Sequence, residues 1–149
     1  MHQSKLVGLI EWIEAQTGVK PYVEVETNGT IKPQDRFLEL VNQFNISPKL
    51  SNSGNDRDKR YKPDVLTQLL SSGKGYLKIV VASEDDMAEI DTDFVGLCQE
   101  PNQMHLMPAG DCQSELEQTR AMVLHQCIKR GYHYSDRLHI VAWNQKTGV

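Results

Sequence analysis

Cysteine is scarce and poorly placed for chemistry. The 149-residue chain has three, Cys98, Cys112 and Cys127, which cannot all pair with one another and lie too far apart for a short metal clip. They are expected to be structural thiols in a reducing, cytoplasmic compartment. No apolar run approaches the ~20 residues needed to span a bilayer, and the N-terminus has no signal-peptide pattern, so a membrane role is disfavoured. Positive charge is not in excess: the formal net charge is -4 and the pI about 5.7, which removes the global electrostatic reason to expect nucleic acid. The stretch Arg57-Asp-Lys-Arg-Tyr-Lys62 is mixed in sign and is read as a solvated loop rather than an RNA site. What is present, 39% hydrophobic and 24% charged residues, fits one globular domain over residues 1–149 that can bury a core.

Helix and strand patterns alternate along this domain. Leu6, Leu9, Ile10 and Ile13 recur at helical spacing up to Gly18, and Tyr22-Val-Glu-Val-Glu26 then alternates as a strand. A second helix is expected from about Pro33, with Phe37, Leu40, Val41 and Phe44 on one stripe, feeding a short strand around Asn45-Ile46-Ser47. After the polar loop 51–62, Pro63 starts a helix carrying Val65, Leu66, Leu69 and Leu70, which leads to the strand Tyr76 to Ala82. Ser83 with Asp86 reads as a capping box for an acidic helix. A strand over Gln103 to Met107 follows, then a long helix from Ser114 to Arg130. Leu116, Val123, Leu124, Cys127 and Ile128 are expected to face inward on that helix, with Gly131 as its C-cap. Arg137 to Trp143 alternates as a terminal strand, sending Leu138, Ile140 and Ala142 one way and Arg137, His139 and Val141 the other.

The fold class is therefore α/β, parallel strands alternating with helices through right-handed crossovers. Each strand has one apolar face, while the opposite faces carry Glu24 and Glu26, Lys78, His105, and Arg137 with His139. Helices on one side only would leave a polar-lined concavity, as in a barrel or partial barrel with a ligand inside; the alternative is an open sheet with a wet face. Ligands of parallel α/β proteins gather at the carboxyl ends of the strands. The segments Glu26-Thr-Asn-Gly-Thr30, Ser47-Pro-Lys49, Met107-Pro-Ala-Gly110 and Trp143-Asn144 fall at those ends. Each alone is a turn signal, but a carboxylate, a lysine and hydroxyls at the same end suit a small zwitterionic or heteroaromatic ligand.

Taken in order, Glu26-Thr-Asn-Gly-Thr30, Ile46-Ser-Pro-Lys49, Leu77-Lys-Ile79, Leu106-Met-Pro108 and Arg137-Leu-His-Ile-Val-Ala-Trp143, ending in Thr147-Gly-Val149, resemble the 7-carboxy-7-deazaguanine synthases. These are radical S-adenosylmethionine lyases of queuosine and 7-deazaguanine biosynthesis. The resemblance covers nearly the whole chain. It implies a radical-SAM partial (β/α)6 barrel and a reaction in which a [4Fe-4S] cluster reduces S-adenosylmethionine. Hydrogen abstraction from 6-carboxy-5,6,7,8-tetrahydropterin and Mg²⁺-assisted ring contraction with ammonia loss would follow. It further implies that Asn28, Ser47 and Lys49 line the S-adenosylmethionine side of the pocket, Ser47 and Lys49 toward the methionine carboxylate and ribose, and that Glu26, Lys78 and His139 meet the pterin. No catalytic residue and no metal ligand is assigned.

The chain departs from the family in lacking the CxxxCxxC loop whose three thiolates hold the cluster and the Gly-Gly-Glu-Pro strand that follows it. Its cysteines are too widely set to substitute. The expectation is an incomplete barrel, the C-terminal half to two-thirds of such a synthase, supplying cofactor- and substrate-pocket residues but not the cluster site. An N-terminal fragment or a second copy of the chain would be its partner. Two other readings stay open: a non-catalytic remnant or small-ligand-binding module of the same fold, and an activase-like protein for a glycyl-radical enzyme, against which the Arg137-Leu-His-Ile140 segment weighs.

Overall fold

The computed structural model describes residues 2–146 and 148. In chain order its elements are α1 (Gln3–Thr17), β1 (Glu24–Thr27), α2 (Asp35–Leu40), β2 (Gln43–Ile46), α3 (Arg57–Arg60), α4 (Pro63–Ser71), β3 (Gly75–Val81), α5 (Glu84–Asp93), β4 (Met104–Pro108), α6 (Gln113–Arg130), β5 (His133–Tyr134) and α7 (Leu138–Trp143). The helix boundaries follow local chemistry. Gly18 ends α1 in the left-handed conformation at φ 69°, donating its N–H to Glu14 O at 2.8 Å, and Pro63 opens α4, where a missing N–H costs nothing. The Ser83/Asp86 capping box forms as expected at the start of α5, with the Ser83 N–H donating to Asp86 Oδ2 at 3.0 Å. Gly131 ends α6 at φ 71°.

The five strands lie side by side in sequence order, and every neighbouring pair is parallel. Right-handed crossovers between sequential parallel neighbours place the connecting helices on one side of the sheet. That side is the core: Val25, Phe44, Ile46, Leu77, Ile79, Val81, Met104 and Leu106 are all buried, together with Phe37, Leu66, Leu69, Leu70, Ile90 and Val123 from the helices. An edge-on contact between Phe37 and Phe44, centroids 6.1 Å apart, ties α2 to β2. Each such aliphatic or aromatic side chain contributes about 1.5–3 kcal/mol relative to exposure. The alternate positions, Glu24, Glu26, Gln43, Asn45, Tyr76, Lys78, Val80, His105, Met107 and His133, are half-buried or exposed. One face of an all-parallel sheet is thus left polar and accessible, although such sheets are ordinarily covered on both. Among the described residues no helix is long and apolar enough to cross a membrane.

Four expectations are corrected. Arg137 to Trp143 is not a strand: Leu138–Trp143 form helix α7, and the fifth strand is His133–Tyr134, paired with His105 and Leu106. The place beside β4 is filled directly after the Gly131 cap by an aromatic tripeptide of high strand preference. Segment 138–143 is then left to coil with a single inward residue, Ile140 at 3% exposure against 72% for Leu138. The second helix is only six residues long and stops before Val41, so Phe44 belongs to β2 rather than to a helical stripe. On α6, Leu124 and Ile128 face outward at 43% and 75% exposure while Gln126 is buried. There the helix packs on the narrow ridge Leu116, Val123 and Cys127. The loop at 51–62 is also more structured than expected, containing a 3-10 turn at Ser51–Ser53 and the short α3, whose Arg60 is buried.

Candidate functional site

The ends of β1 and β2 are stitched into one surface. Ser47 N–H donates to Thr27 O at 2.7 Å, and the Asn28 side-chain oxygen accepts from both the N–H (3.2 Å) and the hydroxyl (2.8 Å) of Thr30. Gly29 makes this turn possible. It sits at φ 73°, and a Cβ there would lie 2.5 Å from Leu66 Cδ2 and 2.9 Å from Ile46 Cγ2, so only glycine lets the Asn28 loop lie down on the core. Lys49 follows Pro48, and its backbone oxygen accepts from Arg60 at 3.1 Å. Asn28, Thr30 and Lys49 line, with Asn55, Lys59 and Arg60, a cavity of about 220 Å³.

Beneath these loops the polar face carries a connected set of side chains. Lys78 reaches from β3 across β2 to Glu26 on β1, with Nζ 3.0 and 3.1 Å from the two carboxylate oxygens. Between them Asn45 donates to Glu24 and to Glu26 at 3.2 Å, and accepts from Gln43 at 2.9 Å. Gln43, Asn45, Tyr76, Lys78 and His105 line a second cavity of about 190 Å³. The expected residues Glu26 and Lys78 are therefore brought together on the sheet, and Asn28 and Lys49 share the cavity at its carboxyl end, where Ser47 adjoins through its backbone.

His139 is placed differently. It is exposed on α7 rather than on the sheet face, because the strand it was expected to occupy is a helix. That helix is nevertheless held at the carboxyl end of β4. Arg137 donates to Gly110 O at 2.7 Å, and Gln113, at the start of α6, donates to Val141 O at 2.8 Å. Thr147 and Val149, two of the three terminal residues that carry part of the family resemblance, lie outside the described residues.

The imidazole that does occupy the sheet face is His105, stacked on His133 of β5 with centroids 4.6 Å apart and planes at 25°, and met edge-on by Tyr76. His105 is among the polar-face residues read from the pattern; its partner His133 is missed, although the Tyr-His-Tyr run directly after Gly131 is the signal for it. Burial, then the neighbouring His133 and Lys78, push the His105 ring below its ordinary value of 6.5. An unfolded chain takes up this proton near 6.5 and the folded chain only at lower pH. His105 therefore contributes stability above 6.5 that is lost as pH falls through 6.5 toward the folded value. The urea midpoint is expected to decline between about pH 7 and 5.5 in the natural chain and less in His105→Gln. Equal slopes in the two proteins would contradict this placement of the ring.

The three thiols do not converge. Cys98 follows the turn Val95–Leu97 before β4, Cys112 caps α6 beyond the other end of β4, and Cys127 is buried within α6, its Sγ donating to His133 O at 3.3 Å. Burial pushes the Cys98 thiol up to about 11 and raises Cys127 as well. Among the described residues no group of three or more His, Cys, Asp or Glu is placed to hold a metal ion.

A five-stranded all-parallel sheet with helices on its apolar side, a polar face opposite and donor-rich loops at the strand ends places the chain in the α/β class, in which ligands gather at the carboxyl ends of the strands. Comparison with known proteins makes the relation particular, because the chain is similar over most of its length to proteins named 7-carboxy-7-deazaguanine synthase. The Pyrobaculum aerophilum protein is 30% identical over 126 residues, 85% of this chain and 54% of that protein. The Rhodopirellula baltica protein is 28% identical, covering 95% of this chain and 58% of its own length. The Halobacterium salinarum protein is 29% identical, covering 83% and 54%. The resemblance read from the motifs is thereby borne out, and the chain spans little more than half the length of these curated relatives. No protein-family model matches it.

Proposed function

We propose that this chain is the cofactor- and substrate-pocket part of a 7-carboxy-7-deazaguanine synthase-like radical S-adenosylmethionine lyase acting on 6-carboxy-5,6,7,8-tetrahydropterin. The observation that carries the reading is that the similarity covers 83–95% of this chain while reaching only 54–58% of each relative. In this reading the [4Fe-4S] cluster that reduces S-adenosylmethionine is held by cysteines outside these 149 residues, and Mg²⁺ assists the ring contraction. Asn28, Ser47 and Lys49 bind the S-adenosylmethionine side, where an ammonium and a hydroxyl suit a carboxylate and ribose hydroxyls. Glu26 accepts from the N–H groups of the pterin's pyrimidine edge, and Lys78 fixes that carboxylate while adding a cation beside the substrate's own carboxylate. His139 approaches the same ligand from α7, which is tied to the end of β4.

The cleft beside β1 supports the need for a further polypeptide segment. Val25, Ile31, Phe37, Phe44 and Leu69 line a cavity of about 220 Å³ next to that edge strand, and Leu9 and Trp12 of the neighbouring α1 are 50% and 59% exposed. An unpaired strand edge flanked by apolar side chains accepts another strand. That strand and the cluster loop would come from the N-terminal part of the synthase, supplied in another chain or ahead of this one; a second copy of this chain would cover the edge without bringing a cluster loop.

The cysteine placement gives a direct test. Reconstituted anaerobically with iron and sulfide, the 149-residue chain is expected to show no [4Fe-4S] absorbance, because a cluster needs closely set thiolates. Stoichiometric iron that is lost on Cys98→Ser or Cys112→Ser would overturn this part of the reading.

A further inference from the structure

We propose that segment 55–60 forms the second wall of an oxyanion-binding site at the carboxyl ends of β1 and β2, with Asn55, Lys59 and Thr30 acting beside Lys49 on the carboxylate or phosphate of a small ligand. The inference rests on the reading above in sharing Asn28 and Lys49 with the S-adenosylmethionine side. It adds to that reading the wall supplied by a loop which, from its composition, is expected only to be solvated.

The cavity's charge is the first ground. Of its six lining residues three are cationic and none is a carboxylate, in a chain whose net charge is -4. Arg60 is neutralised by Glu89 at 2.6 Å. Lys59 is paired with Asp56 at 2.6 Å, but with the two side chains 73% and 66% exposed that pair contributes little and exchanges readily. Lys49 enters no ion pair among the described residues. One free and one loosely held ammonium therefore border the cavity.

The neutral groups are the second ground. Asn28 has its acceptor engaged by Thr30, which leaves its amide N–H groups as the free side of that residue. The Asn55 amide nitrogen donates to Ser53 Oγ at 3.0 Å and keeps a second hydrogen to give. A set of donors and cations without carboxylates is what an oxyanion requires. The site is also built rather than incidental. The buried Arg60 guanidinium donates to Lys49 O at 3.1 Å and to Asn55 O at 3.2 Å, clamping both walls at a fixed separation.

The test is a titration of the 149-residue chain with inorganic phosphate and, separately, with S-adenosylhomocysteine, followed by amide NMR shifts. Natural chain, Lys59→Gln, Lys59→Arg and Lys49→Gln would be compared, their unfolding midpoints confirming that each is folded. Phosphate is expected to shift the amides of residues 55–60. Lys59→Gln is expected to weaken it about tenfold, the size of losing one hydrogen bond to a charged group, and Lys59→Arg to retain it. If phosphate binds in this way and S-adenosylhomocysteine does not bind, the oxyanion site stands, and the cofactor assignment of Lys49 rests on the effect of Lys49→Ala in the reconstituted enzyme. If S-adenosylhomocysteine binding is lost in Lys49→Gln and unchanged in Lys59→Gln, the cofactor reading stands and the second wall is overturned. Absence of binding by both probes, or equal affinity in Lys59→Gln, also overturns it.

Discussion

Arg60→Ala should destabilise the chain by about 3–5 kcal/mol, the cost of breaking a buried ion pair and leaving one charge uncompensated. The Arg60 and Glu89 side chains are 7% and 14% exposed. Glu89 also accepts from the Ser51 hydroxyl at 2.6 Å and the Ser51 N–H at 2.9 Å. Burial alone would push the Glu89 carboxyl up; the Ser51 bonds and the Arg60 guanidinium more than offset it and hold the group below its ordinary value. Without Arg60 that carboxylate stays in the same desolvated position with its cation gone, and the carbonyls of Lys49 and Asn55 lose their shared donor. Urea unfolding should show the loss, and the paired replacement Arg60→Met with Glu89→Met should recover much of it, since an apolar pair removes both charges from the interior. A single-variant cost below about 1 kcal/mol, the range of an exposed pair, would mean that the pair is solvated and does not organise the loop.

This pair marks the limit of what the pattern of residues reveals. The alternation of helices and strands was legible because period-2 strands such as Leu77, Ile79 and Val81 and punctuation such as Gly18, Pro63, Ser83 and Gly131 are local signals. The polar sheet face was legible for the same reason, and with it Glu26 and Lys78. Arg60 was not, because Arg57 to Lys62 has the composition of any solvated loop. Its burial depends on Glu89, which lies 29 positions later on α5. The C-terminal segment misled for a related cause. Seven alternating residues satisfy a strand template, yet what decides is which segment reaches the β4 edge first, and His133–Tyr134 do. His139 is thereby an exposed residue of α7 rather than a member of the sheet face.

Mixing this chain with a polypeptide that carries the three-cysteine loop and the Gly-Gly-Glu-Pro strand should produce turnover that neither part has alone. The added strand would cover the β1 edge and the cleft lined by Val25, Phe37 and Phe44, and in doing so would set a cluster-bound methionine over Lys49 and the Glu26–Lys78 pair. Association and assembly of the site are then one event, and held reactants gain the effective concentration that separate pieces lack. Lys49→Ala and Glu26→Gln should each lower the restored rate while leaving the unfolding midpoint of the chain nearly unchanged, because both side chains lie at exposed positions. The decisive measurement is anaerobic conversion of 6-carboxy-5,6,7,8-tetrahydropterin with S-adenosylmethionine by the two polypeptides, separately and together. The result expected is 7-carboxy-7-deazaguanine from the mixture only, reduced by Lys49→Ala and Glu26→Gln. Association without product, or product that is indifferent to both substitutions, would contradict the assignment of this chain as the pocket of the synthase.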